Sequence, residues 1–174
     1  MKKKSKRFPT IGLALSGGSA RGLSYIGFLK VLEKNKIPID YVAGTSIGAV
    51  IGAFYCAGMH AKEMEDIVTK TDWSSLMDFT CEYTGLLDGK KIEDFIREKL
   101  PVKTFEDLYI PFAAVAVDVN TGEKIIFNKG DVAEAVRASL SIPGVFTPMK
   151  IGNRILVDGG VMDPIPIDVL KGKV

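Results

Sequence analysis

Short, nearly unbroken apolar runs alternate along this chain with longer stretches in which apolar residues recur every three or four positions. Ile11-Gly12-Leu13-Ala14-Leu15 is the first run and predicts a buried strand. From Leu23 to about Lys34, Ile26, Leu29, Val31 and Leu32 mark one side of a helix. Ile39 to Ala43 predicts a second strand and Ile47 to Ala57 a second helix. Strand, helix, strand, helix at this spacing is the pattern of a parallel sheet with right-handed crossovers.

Residues 61–100 read as mostly helical, with Met64, Ile67 and Val68 on one amphipathic face and Ile92, Phe95, Ile96 and Leu100 on another, stopped by Pro101. Between them, the irregular segment Trp73 to Phe79 carries large apolar groups. It predicts either a lid over an apolar pocket or a loop packing its own Trp and Phe on the core. Phe112 to Val117 is a third buried strand, and Asn120-Thr121-Gly122 turns it into Glu123 to Phe127 as an antiparallel hairpin. A helix from Val132 to Ser139 follows, then the Pro/Gly-punctuated residues 141–148. Arg154 to Val157 predicts a last short strand that runs into Asp158-Gly159-Gly160.

Composition narrows the class. At 174 residues, 47% hydrophobic and 25% charged, the chain has the size and make-up of one globular domain. A net charge of +2 gives no case for a nucleic-acid partner. Residues 1–9 are expected to be a basic flexible tail, solvated or weakly drawn to anionic head groups. No signal-peptide pattern follows the tail and no run reaches transmembrane length. Cys56 and Cys81 lie in unlike contexts and fit reduced thiols. The expected location is therefore cytoplasmic, with a peripheral membrane contact open to the basic tail.

The candidate chemistry begins at Gly44-Thr45-Ser46-Ile47-Gly48, set between the second strand and the second helix. With 18 Gly and nine Ser in the chain, G-x-S-x-G arises by chance only about 0.1 times, and the strand-to-helix context makes it rarer still. Such a turn is strained and holds a serine hydroxyl at the end of a sheet, where the next helix aims free N–H groups at an oxyanion. A second loop, Gly17-Gly18-Ser19-Ala20-Arg21-Gly22, follows the first strand. It lacks the spacing of G-x-G-x-x-G and the G-K-[ST] of a phosphate loop, which leaves a donor nest for a developing oxyanion as the better interpretation.

A serine nucleophile needs a base. The one histidine, His60, falls at the far end of the helix that starts at Ser46, roughly 20 Å away at 1.5 Å per residue, so a Ser-His-Asp triad is not expected. Asp158 is the leading carboxylate because it ends an apolar strand and is followed by two glycines. Asp-Gly is equally a hairpin-turn signal, and on residues alone the two readings stand level. Asp118 has the same ambiguity, and there the turn is favoured.

Taken together these stretches resemble the patatin-like phospholipase family. Gly17 to Gly22 matches its glycine-rich oxyanion motif, Gly44 to Gly48 its nucleophile elbow, and Asp158-Gly159-Gly160 its Asp-Gly-Gly/Ala motif. Ala138-Ser139 through Gly144 and Phe146 resembles the segment before the family's aspartate. The likeness runs from about residue 10 to residue 170. It implies an α/β fold, a three-layer α/β/α sandwich on a mostly parallel sheet, and a Ser46–Asp158 dyad that hydrolyses acyl esters of lipids without metal or other cofactor. It also implies oxyanion donors at Gly17, Gly18, Ser19 and Ile47, an anion contact at Arg21, and supporting roles for Gly44, Gly48, Gly159 and Gly160. Two departures stand out. Ser19 occupies the place of the family's usual third glycine, and residues 10–174 stop at Val174, where family domains continue into a further strand and helices. An open sheet edge there would favour a homo-oligomer. The alternatives are an acyltransferase working on thioesters and a catalytically silent lipid-binding module.

Overall fold

The protein is described here by a computed structural model covering residues 10–80 and 85–174. The expected basic tail and Cys81 lie outside the described residues. Strand β1 (Gly12–Leu15) pairs in parallel with β2 (Tyr41–Thr45), and β2 in parallel with β3 (Phe112–Asp118). Between β1 and β2 runs α1 (Ser24–Lys34), entered through a 3-10 turn at Ser19–Leu23. Between β2 and β3 run α2 (Ile47–Cys56), α3 (Ala61–Lys70) and α4 (Lys90–Lys99).

On this side the predicted parallel half is present. The other half is antiparallel, which corrects the expectation of a mostly parallel sheet. Strand β4 (Lys124–Phe127) returns along β3 as the predicted hairpin. After α5 (Val132–Ser139), β5 (Met149–Ile151) and β6 (Arg154–Asp158) form a second hairpin whose β6 also runs antiparallel to β3. The links from β3 to β4 and from β5 to β6 are too short to carry a crossover, so β4 returns beside β3 and β6 beside β5. A four-residue helix, α6 (Ile167–Leu170), follows.

Side chains alternate across the sheet and divide its two faces. Leu15, Val42, Phe112 and Ala114 face the core with α1 to α5, where Leu29, Met64 and Ile96 are fully buried. Each such side chain contributes roughly 1.5–3 kcal/mol on removal from water. Tyr41, Ala43, Ala113 and Val115 face the other way, against Val169 and Leu170 of α6. The sandwich therefore has three layers, with α6 the described helix on the second face. Strand β1 pairs only with β2, so it is half-buried rather than fully buried as its composition suggested.

Among the described residues of 61–100, α3 and α4 are separate helices, as the irregular segment expected between them requires. Asp78 explains the break: its carboxylate accepts the N–H groups of Gly89 and Lys91 at 2.8 and 2.9 Å and starts α4 there. Helix α5 begins at Asp131 in the same manner, with the N–H of Glu134 donating at 2.8 Å.

The register places the site. Strand β4 covers Ala114 to Val117 on one edge of β3, so β2, opposite Phe112 to Val115, and β6, opposite Ala116 to Asp118, must share the other edge. They run in opposite directions and meet end to end. Thr45 lies opposite Val115, and Asp158 opposite the very next residue, Ala116.

Candidate active site

Ser46 leaves β2 in a conformation that L-residues rarely adopt, φ 57° and ψ −127°. Strain of this kind persists only where the surroundings hold it, and costs about 1–3 kcal/mol. What holds it is visible. The Ser46 N–H donates to Ser139 Oγ at 2.8 Å, and that hydroxyl donates to Val115 O at 2.6 Å. A Cβ on Gly44 would sit 2.5 Å from Gly48 O, and one on Gly48 only 2.2 Å from Leu15 O. Both glycines of the motif are thus required by close backbone approach.

Asp158 ends β6 and is 5% exposed; Ser46 is 4% exposed. The hairpin-turn reading of Asp158 is set aside, because a 3-10 turn at Gly159–Val161 follows it instead of a returning strand. Its Oδ1 accepts the Gly160 N–H at 2.6 Å, whereas Oδ2 is buried and, among the described residues, has no partner with full hydrogen-bond geometry. Burial raises the carboxyl's proton affinity above the ordinary aspartate range; the nearby Ser46 hydroxyl and the Gly160 N–H pull in the opposite direction. The Asp158 backbone is fixed by its N–H to Ser141 O at 2.9 Å. Asp118, by contrast, is a turn residue, its Oδ1 accepting the Asn120 N–H.

Ser46 and Asp158 line one open cleft of about 390 Å3 together with Gly17, Gly18, Ser19 and Gly160. Within the glycine-rich loop, Gly18 has φ 151° and Ser19 φ 50°. Ser19 therefore occupies the left-handed backbone that glycine tolerates best, where the family usually has its third glycine. The N–H groups of Gly18, Ser19 and Ile47 meet no acceptor among the described residues. That of Gly17 donates to Pro164 O at 2.9 Å. Its bond ties the loop to the segment after Asp158. Arg21 is exposed and does not line the cleft. His60 begins α3 with its side chain 77% exposed, as expected of a surface residue.

Three further side chains brace the cleft, and the motifs by themselves did not single them out. Thr45 Oγ1 donates to Asp163 O at 2.9 Å, while Lys124 Nζ holds Asp163 Oδ2 at 2.9 Å and also bonds Asp168. Arg137, 4% exposed, donates to Ser141 Oγ at 2.6 Å, to the carbonyls of Gly89 and Thr147 at 3.0 and 3.1 Å, and to that of Asp88. The missed strand β5 had a signal, Gly152-Asn153, a two-residue hairpin loop with Gly152 at φ 59°. Lys124 and Arg137 had none, since Asp163 and Asp168, and the carbonyls of Asp88 and Gly89, are distant from them in sequence.

A model of the patatin-like phospholipase family matches residues 13–171. An uncharacterised NTE family protein of Mycobacterium tuberculosis is 36% identical over 166 residues, covering 94% of this chain and 46% of that protein. The chain belongs to the patatin-like phospholipase family. Neuropathy target esterase sws of Drosophila melanogaster is 34% identical over 171 residues, which are 92% of this chain and 12% of that protein. VipD from Legionella pneumophila, a solved structure, superposes with a TM-score of 0.74 at 16% identity over 90% of this chain and 47% of that one, a likeness of fold. The chain thus spans about half the length of the mycobacterial relative it matches. Among the described residues no helix is long and apolar enough to cross a membrane, and no cluster of His, Cys, Asp and Glu could hold a metal ion.

Proposed function

We propose that this member of the patatin-like phospholipase family is a serine acyl hydrolase that cleaves carboxylic esters of lipids through Ser46 and Asp158. As Ser46 Oγ attacks the ester carbonyl, Asp158 takes the hydroxyl proton and then gives it to the departing alcohol. Water subsequently releases the acyl group from Ser46 by the same exchange in reverse. The carbonyl oxygen, negative in the tetrahedral intermediate, is received by the free N–H groups of Gly18, Ser19 and Ile47. One well-placed donor of this kind is worth about 3 kcal/mol of barrier. Burial suits Asp158 to its part, because a carboxylate with raised proton affinity is a better base than the ordinary aspartate of pKa about 3.9.

The observation that carries this reading is the end-to-end meeting of β2 and β6 on one edge of β3. Two buried, reactive side chains, 112 residues apart in sequence, thereby line a single cleft. Ser46→Ala and Asp158→Asn are each expected to abolish hydrolysis of p-nitrophenyl butyrate with the fold retained, and a fluorophosphonate probe to label Ser46 alone. Full activity in either variant, or labelling of another serine, would reject the assignment. Transfer of the acyl group to a thiol acceptor without release of free acid would indicate the acyltransferase. Lipid association without labelling would indicate the silent module. Mass spectrometry of a mixed lipid extract incubated with the protein identifies the lipid consumed.

A further inference from the structure

A second cavity, of about 150 Å3, lies along α2. Ile47, Val50, Ile51 and Phe54, spaced as one face of that helix, form its floor. Helices α3 and α4 wall it, and Trp73 with Leu76 from the 3-10 turn at Trp73–Leu76 cover it. Every lining side chain is apolar. Even the indole N–H of Trp73 is turned away, donating to Val68 O at 3.0 Å, while its ring meets Phe95 edge-on at 6.0 Å. A pocket so lined accepts apolar guests.

The cavity and the cleft are neighbours along the chain at three points. Ile47 follows Ser46; Leu23 closes the turn that opens at Ser19; Leu140 stands two residues before Ile142 of the cleft. Ile47 packs tightly against Gly22, where an added Cβ would lie 2.3 Å from its Cγ2. We propose that this cavity receives the acyl chain of the ester attacked by Ser46, with Trp73 as its cover; the proposal rests on the reaction assigned above. From Ile47 to Phe54 the floor runs about 10 Å along the helix axis. An extended chain advances about 1.2 Å per bond, so the floor fits an acyl chain of about eight carbons. Of the two expectations for the segment from Trp73 to Phe79, a cover on an apolar pocket fits Trp73 and Leu76, whereas packing of its Phe on the core is not found, since Phe79 is exposed.

Two measurements test this. Along a series of p-nitrophenyl esters from acetate to dodecanoate, kcat/KM is expected to rise about fourfold per methylene and to level off near eight carbons. Val50→Phe, which fills the floor, should lower the octanoate-to-acetate ratio of kcat/KM at least tenfold; a ratio is insensitive to any fraction of misfolded protein. Trp73 is the sole tryptophan, so its fluorescence reports occupancy directly. Octanoic acid brominated at its tail, kept below micelle-forming concentration, should quench Trp73 in the parent chain and in Ser46→Ala, and less in Val50→Phe. An unchanged ester ratio in Val50→Phe, or no quenching, would overturn the proposal. Quenching in a parent chain that hydrolyses no ester would refute the reaction at Ser46 while leaving the cavity as an acyl-chain site.

Discussion

Ser139→Ala removes one oxygen atom and isolates the question of what keeps Ser46 in its strained turn. Ser139 is fully buried at the end of α5, accepts the Ser46 N–H and donates to Val115 O. Alanine leaves the buried Ser46 N–H without its acceptor, at a cost of about 1–3 kcal/mol. For a chain of this size that lowers the melting temperature by roughly 2–12 °C. The strain at Ser46 is of the same magnitude, about 1–3 kcal/mol, so without its anchor the turn relaxes in a large fraction of molecules. Turnover should then fall by roughly 5- to 150-fold, with KM for a short ester nearly constant because Ser139 does not line the cleft. Thermal denaturation, steady-state kinetics on p-nitrophenyl butyrate and the rate of fluorophosphonate labelling measure the three quantities. A variant that loses the expected stability yet turns over within twofold of the parent would show that Ser139 supports the fold and not the geometry of Ser46.

Asp158 has a pH signature. Its proton affinity is raised in the folded chain, so the native state binds the proton more tightly than the unfolded state, and stability falls as pH rises from 3.8 through the raised value. Asp158→Asn removes a buried charge and should be more stable than the parent at about pH 7, with the difference closing as the pH drops below 3.8. Denaturation midpoints across that range check it, and an Asn variant less stable at neutral pH would contradict the burial argument. Gly48→Ala drives a Cβ into the Leu15 carbonyl and should cost about 3 kcal/mol or more, because β1 and α2 must separate. Gly27→Ala in α1 meets nothing within 4 Å and should instead be neutral or stabilising by up to about 1 kcal/mol; similar melting temperatures for the two variants would refute the close-approach account.

The sequence alone determined the strand-turn-helix units, because their signals are local. Apolar runs of strand length, helical periodicity and glycines where backbones approach closely all act within a few residues, and they located Ser46, the 17–22 loop and the helix at 132–139. Residues alone left Asp158 undecided between a turn and a site. Tertiary structure decided that the sheet is mixed, that β2 and β6 meet on one edge of β3, and that Gly17 gives its N–H to Pro164. It also supplied the Ser139 and Arg137 braces and the cavity beside Ile47. These features depend on strand register and on contacts between residues tens of positions apart. A linear pattern carries no record of which edge a strand will take or which carbonyl a buried hydroxyl will find.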